Sequence, residues 1–240
     1  MRLSDFQVLS FDCYGTLIDW ESGLWTALQP LVAKLAAAPA REAALANFAR
    51  HESAQQAETP ALAYPLLLAR VHARLADEWG VAASADEHHA FGASVGDWPA
   101  FADTPAALAY LKRFYKLVIL SNVDRASFAA SNRRLGVAFD AVCTAEDIGS
   151  YKPDPRNFRY MIDALGRLGH EPGDILHVAQ SLFHDHAPAN ALGLASAWID
   201  RRGGTAGSGA TMPAESGVRY DFRFPTLAAM AEAHRRDAAE

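Results

Sequence analysis

Short apolar runs recur along the chain at Gln7–Phe11, Lys116–Leu120, Ala141–Thr144, Ile175–Ala179 and Ala195–Ile199, most of them separated by stretches with helical periodicity. Strands spaced by helices predict parallel βαβ units. The interval after the first run is different. From Trp20 to Trp98 the chain is rich in Ala and Leu, with helical spacing over Leu24–Ala38, Arg41–Gln56, Ala63–Trp79 and Ala85–Val95 and no convincing strand. A single crossover helix needs far fewer residues, so this block reads as an all-helical insertion. The predicted fold class is α/β, a doubly wound parallel sheet with an inserted helical cap: core residues 1–19 and 99–240, cap residues 20–98. Asp103-Thr104-Pro105 opens the first core helix after the insertion, with proline in its first turn. Tyr220–Phe224 reads as a last short strand or edge segment, and Thr226–Arg236 as a closing helix. Gly203 to Gly217 is rich in Gly, Ser, Ala and Thr and reads as a flexible surface loop. It lacks the lysine and the spacing of a nucleotide-binding loop.

Composition narrows the class of protein. With 240 residues, 50% of them hydrophobic and 21% charged, the chain suits one large domain or a core carrying an insertion. The formal charge of −6 argues against a nucleic-acid partner. Arg133-Arg134, Arg201-Arg202 and Arg235-Arg236 are isolated pairs and form no basic stripe. No apolar run is long enough to span a bilayer, and no basic segment followed by an apolar one opens the chain, so no membrane association is expected. Two cysteines, Cys13 and Cys143, make no disulfide framework, which fits a reduced cytoplasm. Cys13 reads as a small buried filler.

The chemistry collects at the strand ends. The first run ends at Asp12, followed by Gly15 and Thr16 in a tight turn. Taken alone, Asp12 is as readily a helix cap as a catalytic group. The second run ends in Leu120-Ser121-Asn122, a hydroxyl and an amide suited to holding an anion. After the third comes Ser150-Tyr151-Lys152-Pro153-Asp154-Pro155, which supplies a cation, and after the fourth Gln180-Ser181-Leu182-Phe183-His184-Asp185-His186, which supplies a second carboxylate. In a doubly wound sheet these tips converge on one crevice. A carboxylate nucleophile, an anion holder, a lysine and a second acid make a coherent site for covalent catalysis.

These four segments in this order resemble the haloacid dehalogenase superfamily, whose members use an aspartate nucleophile and carry a cap where the helical insertion falls. The resemblance covers Leu3–Leu17 and Ala100–Ile199. Phosphatases of that superfamily carry a second aspartate two residues after the nucleophile, as acid for the leaving alcohol. Here that position is Tyr14. A halide leaves as a stable anion and needs no such acid, so Asp12-Cys13-Tyr14-Gly15-Thr16-Leu17 resembles the L-2-haloacid dehalogenase branch. The resemblance implies a hydrolase acting on a short 2-haloalkanoic acid through an aspartyl ester, without a cofactor or metal. It implies Asp12, Lys152 and Asp185 as catalytic residues, with Lys152 lowering the pKa of both carboxylates. Tyr14, Thr16, Ser121, Asn122 and Ser181 would hold substrate or carboxylate oxygens. Arg50 in the cap, with Arg41 as rival, would bind the halide. His184 is an accessory candidate, and the alternation His184-Asp185-His186 is weak evidence for a metal. Two departures stand out. Phe158 replaces a tyrosine of the related dehalogenases, and Gln180-Ser181-Leu182 replaces their Ser-Ser-Asn. The alternatives are a Mg2+-dependent phosphatase of small phosphate esters and a non-catalytic binder of a small acid or a protein. A homodimer is what the resemblance suggests for assembly.

Overall fold

The elements follow the predicted alternation. The structure, a computed structural model, describes residues 1–204, 207, 209–213 and 216–237. In chain order it contains β1 (Val8–Phe11), α1 (Trp20–Val32), α2 (Arg41–Glu58), α3 (Tyr64–Glu78), α4 (Ala85–Ala93), α5 (Thr104–Leu111), β2 (Lys116–Ser121), α6 (Arg125–Leu135), β3 (Ala141–Thr144), α7 (Ala145–Ile148), α8 (Pro155–Gly166), β4 (Ile175–Ala179), α9 (Ala187–Ala191), β5 (Ala195–Ile199), β6 (Phe222–Phe224) and α10 (Leu227–Asp237). The sheet order is β3-β2-β1-β4-β5-β6, with every neighbouring pair parallel. The predicted strands all form, and the last one joins the sheet as β6 beside β5. The loop expected over Gly203 to Gly217 falls partly outside the described residues.

Side-chain alternation along each strand divides the core into two layers. Leu9, Phe11, Leu117 and Ile119 face one cluster. Val8, Val118 and Leu120 face the other, where they meet Phe158, Met161 and Leu165 of α8. Those three α8 residues recur at helical spacing on one face. With both faces covered, the strands read as continuous apolar runs. The exception in β1 is Ser10, fully buried and hydrogen-bonded to His177 of β4.

Between β1 and β2 the described residues form helices and short helical turns. Phe48 of α2 packs edge-on against Trp20 of α1 at 6.0 Å and Phe91 of α4 at 6.4 Å. The first predicted helix is displaced. α1 begins at Trp20, where the Asp19 carboxylate accepts the Ser22 N–H, and ends at Val32, where its buried face runs out. Ala36 to Ala38 add no buried residue, and Pro39 disfavours helix at the position before it. Asp103 precedes α5 as expected, but its carboxylate does not cap that helix. It instead takes the Arg201 guanidinium at 2.7 Å and the Ala228 N–H of α10 at 3.0 Å. Arg201 also donates to the Thr16 carbonyl at 2.9 Å and lies over the Phe101 ring, fastening the turn after β1 to the end of β5. Among the described residues, no helix is long and apolar enough to cross a membrane.

Candidate active site

β1 lies between β2 and β4, so the turns that follow these strands share one end of the sheet. Asp12 follows β1 directly, and its N–H is held by the Val178 carbonyl of β4 at 3.1 Å. Gly15 turns the chain with φ of 94°, a conformation that favours glycine. Thr16 then donates to Asp12 Oδ2 at 2.7 Å and accepts the Gln180 N–H at 2.9 Å, joining the two turns.

Lys152 reaches the centre of this arrangement although it is only 1% exposed. Its Nζ donates to Asp12 Oδ1 at 2.9 Å, Asp185 Oδ1 at 2.6 Å and the Leu120 carbonyl at 2.9 Å. All three ammonium protons are therefore used. The Lys152 backbone is clamped by Asn122, whose Oδ1 accepts its N–H at 2.6 Å and whose Nδ2 donates to its carbonyl at 2.9 Å. Asn122, expected to hold an anion directly, thus positions the lysine.

The two carboxyls share one cation and titrate as a pair. Burial pushes Asp185 up, yet the Lys152 charge and the His177 hydrogen bond outweigh it and hold its carboxyl below the ordinary range. Asp12 runs the other way. Burial, helped by the Asp185 charge, lifts it above the ordinary range despite Lys152 and Thr16. The expected lowering of both carboxylates therefore applies to Asp185 alone. Burial favours a neutral amine at Lys152, but the two carboxylates overcome this and raise its pKa.

Behind Asp185 stands His177, which the sequence reading missed. Its Nε2 lies 3.0 Å from Asp185 Oδ1 and its Nδ1 lies 2.9 Å from Ser10 Oγ. A proton on Nε2 lets the ring donate to the carboxylate, while Nδ1 meets the serine hydroxyl. Phe158 packs edge-on against this ring at 4.9 Å. A polar residue in the otherwise apolar run Ile175–Ala179, and another at Ser10, were the available signals.

A cavity of about 40 Å³ opens onto these groups, room for a molecule of a few heavy atoms. Asp12, Tyr14, Ser121, Asn122, Lys152, Ser181, His184 and Asp185 all line it. Among the described residues, Ser121 Oγ and Asp185 Oδ2 are buried without a hydrogen-bond partner. The Tyr14 hydroxyl is engaged with Ser131 Oγ of α6 at 2.8 Å. The Ser181 Oγ accepts the His184 N–H at 2.9 Å. Burial lowers the His184 pKa to about 4, leaving a neutral imidazole near neutral pH. His186 lies elsewhere, bonded to Ser196 Oγ and the Ala179 carbonyl. Among the described residues, no group of three or more His, Cys, Asp or Glu side chains is placed to hold a metal ion.

The expected halide arginine is not in this cavity. Arg50 is half exposed and paired with Glu78 of α3 at 2.6 Å. Arg41 contacts Ser22 Oγ and lines a different depression. The reason is helical phase. Leu45, Phe48, Glu52 and Gln56 share the buried face of α2, and Arg50, two residues from both Phe48 and Glu52, falls on the opposite side. The residues that α2 sends to the cavity are Glu52 and Gln56, beside Trp20 and Tyr64. Extending the Leu45 and Phe48 spacing by one turn would have identified Glu52.

Comparison with known proteins places this geometry in context. Residues 6–191 match the family model for haloacid dehalogenase-like hydrolases. Haloacid dehalogenase-like hydrolase domain-containing protein 3 of Mus musculus is 40% identical over 86 residues, which is 35% of this chain. The match spans only 33% of that curated relative's length. A crystal structure of an L-2-haloacid dehalogenase superposes with a TM-score of 0.75 at 25% identity, covering 98% of this chain and 100% of the other. The L-2-haloacid dehalogenase of Xanthobacter autotrophicus, solved with chloropropionic acid covalently bound, shares the fold with a TM-score of 0.76 at 19% identity, covering 96% of this chain and 98% of that one.

Proposed function

The chain belongs to the haloacid dehalogenase-like hydrolases, and from that premise we propose that it removes halide from short 2-haloalkanoic acids through an ester on Asp12. The observation that carries this reading is the buried Asp12–Lys152–Asp185 cluster next to a tyrosine at position 14. An Asp12 oxygen attacks the carbon bearing the halogen, the new C–O bond forms with inversion, and the halide leaves with the bonding electrons. Water then attacks the carbonyl carbon of the ester, releasing a 2-hydroxy acid and restoring Asp12. Lys152 compensates the charge on both carboxylates throughout, and Thr16 holds Asp12 Oδ2 in place. The unpartnered Ser121 hydroxyl takes the substrate carboxylate, and Asp185 Oδ2 orients the hydrolytic water. Residues 20–98 act as a cap that closes the cavity from α1, α2 and α3 through Trp20, Glu52 and Tyr64. The small cavity suits a short acid, and the adduct seen in the Xanthobacter autotrophicus enzyme supports the same chemistry on this fold.

A second reading, a magnesium-dependent phosphohydrolase, is favoured by one observation. Asp185 Oδ2 is a buried carboxylate oxygen without a partner, and with an Asp12 oxygen it is the donor type a hard cation takes. Bound there, the ion would compensate the charge of a phosphoryl group. Against it, Lys152 already engages both carboxylates, and Tyr14 offers no acid to an alcohol leaving group.

The test incubates purified protein with L-2-chloropropionate and EDTA, and separately with a phosphate monoester and Mg2+. Chloride release that EDTA leaves untouched is expected, with Asp12→Asn reducing it by at least about a thousandfold. Magnesium-dependent phosphate release without chloride release would replace the first reading with the second.

A further inference from the structure

Glu52 is a buried carboxyl in the reaction cavity that the mechanism above leaves without a role. It is 4% exposed, and no Lys or Arg among the described residues is paired with it. Among the described residues its one hydrogen-bond partner is the Tyr64 hydroxyl of α3, which donates to Oε1 at 2.7 Å. Tyr151 stacks obliquely against Tyr64, with ring centroids 6.4 Å apart, and adds a second phenol on that side. The same cavity is lined by Asp12, Asp185, Lys152 and the neutral His184. Lys152 has no proton left to offer, since its three donors go to Asp12, Asp185 and Leu120. An ionised Glu52 would therefore be a second uncompensated negative charge in a water-poor site. Burial accordingly raises its pKa to about 7, against a smaller lowering by Tyr64.

The leaving halide needs a donor or a cation in this desolvated site, and none of Arg41, Arg50, Arg70 and Arg74 lines the cavity. We propose that Glu52, kept in its acid form, hydrogen-bonds the departing halide as Asp12 displaces it. This rests on the dehalogenase reading and changes how that reaction is assisted. Tyr64 orients the carboxyl by donating to Oε1, so the proton resides on Oε2. During displacement the C–X electron pair leaves with the halide. The proton stays on Glu52, because a hydrogen halide such as HCl is a far stronger acid than a carboxylic acid. A neutral donor assists departure without adding the positive charge of an arginine, and its ionised form repels the halide.

The consequence is an alkaline limb in turnover. The measurement is kcat for chloride release from L-2-chloropropionate, from about pH 5 to about pH 9, in the wild type and in Glu52→Gln. The wild type should lose activity as pH rises through about 7. Glu52→Gln keeps an N–H donor and should retain activity with that limb removed, which a merely structural glutamate would not produce. Superimposable pH profiles for the two proteins overturn the proposal. Carbon-13 NMR of glutamate-labelled protein supplies an independent readout, with the resonance assigned by its loss in Glu52→Gln. A midpoint near 7 upholds the acid form, and one near the ordinary 4.5 overturns it. Should no chloride be released by the wild type at any pH, the dehalogenase reading fails on that result, and the NMR midpoint still decides the state of Glu52.

Discussion

Lys152 has three protons and meets three acceptors, one on each of the turns or strands that converge on the site. That match is why a lysine can be buried here at all, since an ammonium left with an unused donor in a dry interior would be costly. The same accounting separates Arg50 from Glu52. Arg50 forms a surface pair with Glu78, beside His51, and surface pairs contribute little. On the proposed dehalogenase reading, Arg50→Ala is therefore expected to leave chloride release within about twofold of wild type and to lower stability by less than about 1 kcal/mol in a denaturant titration. A loss of activity beyond about tenfold would return Arg50 to the site. The candidate Asp12, Lys152 and Asp185 were readable as residue types at strand ends. Glu52 and His177 left fainter signals, a helical spacing and a polar residue in an apolar run, because their significance lies in what they touch: a tyrosine hydroxyl in one case and Ser10 with Asp185 in the other.

At the scale of elements, the strands were the most legible part of the chain. Burial on both faces makes the central strands β1, β2 and β4 mostly apolar runs with a β-branched or aromatic signature. The helices of residues 20–98 were legible in number and approximate extent, and less so in phase and ends. α1 illustrates the difficulty. Gly23 lies within the helix, where glycine weakens local preference, yet an added Cβ there would come within 2.4 Å of the Trp98 ring. The glycine is thus a packing requirement set by a residue far along the chain. Gly23→Ala should destabilise the protein by about 1–3 kcal/mol, the overpacking cost exceeding the better helix preference of alanine. Chemical denaturation measures this, and a variant more stable than wild type would contradict the packing argument. Because Trp98 also meets the Tyr14 ring at 5.6 Å, the strain would reach the cavity wall.

For the molecule as a whole, the site is a tie between distant parts of the chain. Asp12, Leu120, Lys152 and Asp185 come from four segments and are joined by one ammonium group. Lys152→Met would leave two buried carboxyls without their cation. The expected loss is about 3–5 kcal/mol at neutral pH. The sign of its pH dependence follows from linkage. Without the lysine both carboxyl pKa values rise above their unfolded values, so the ionised forms destabilise the fold increasingly as pH rises. Thermal melts should accordingly show a smaller deficit near pH 5 than near pH 7.5, and an equal deficit at both would contradict the argument.

Sequence alone determined the α/β class, the helical stretch after the first strand and the four polar strand tips, because periodicity and chain punctuation are local properties. Tertiary structure alone decided which side chains face the cavity from the helices, and it put Glu52 there in place of Arg50. It also decided that one lysine serves two carboxyls whose pKa values shift in opposite directions. Those outcomes depend on what the buried face of each helix packs against and on distances between segments far apart in the chain, which no local pattern encodes.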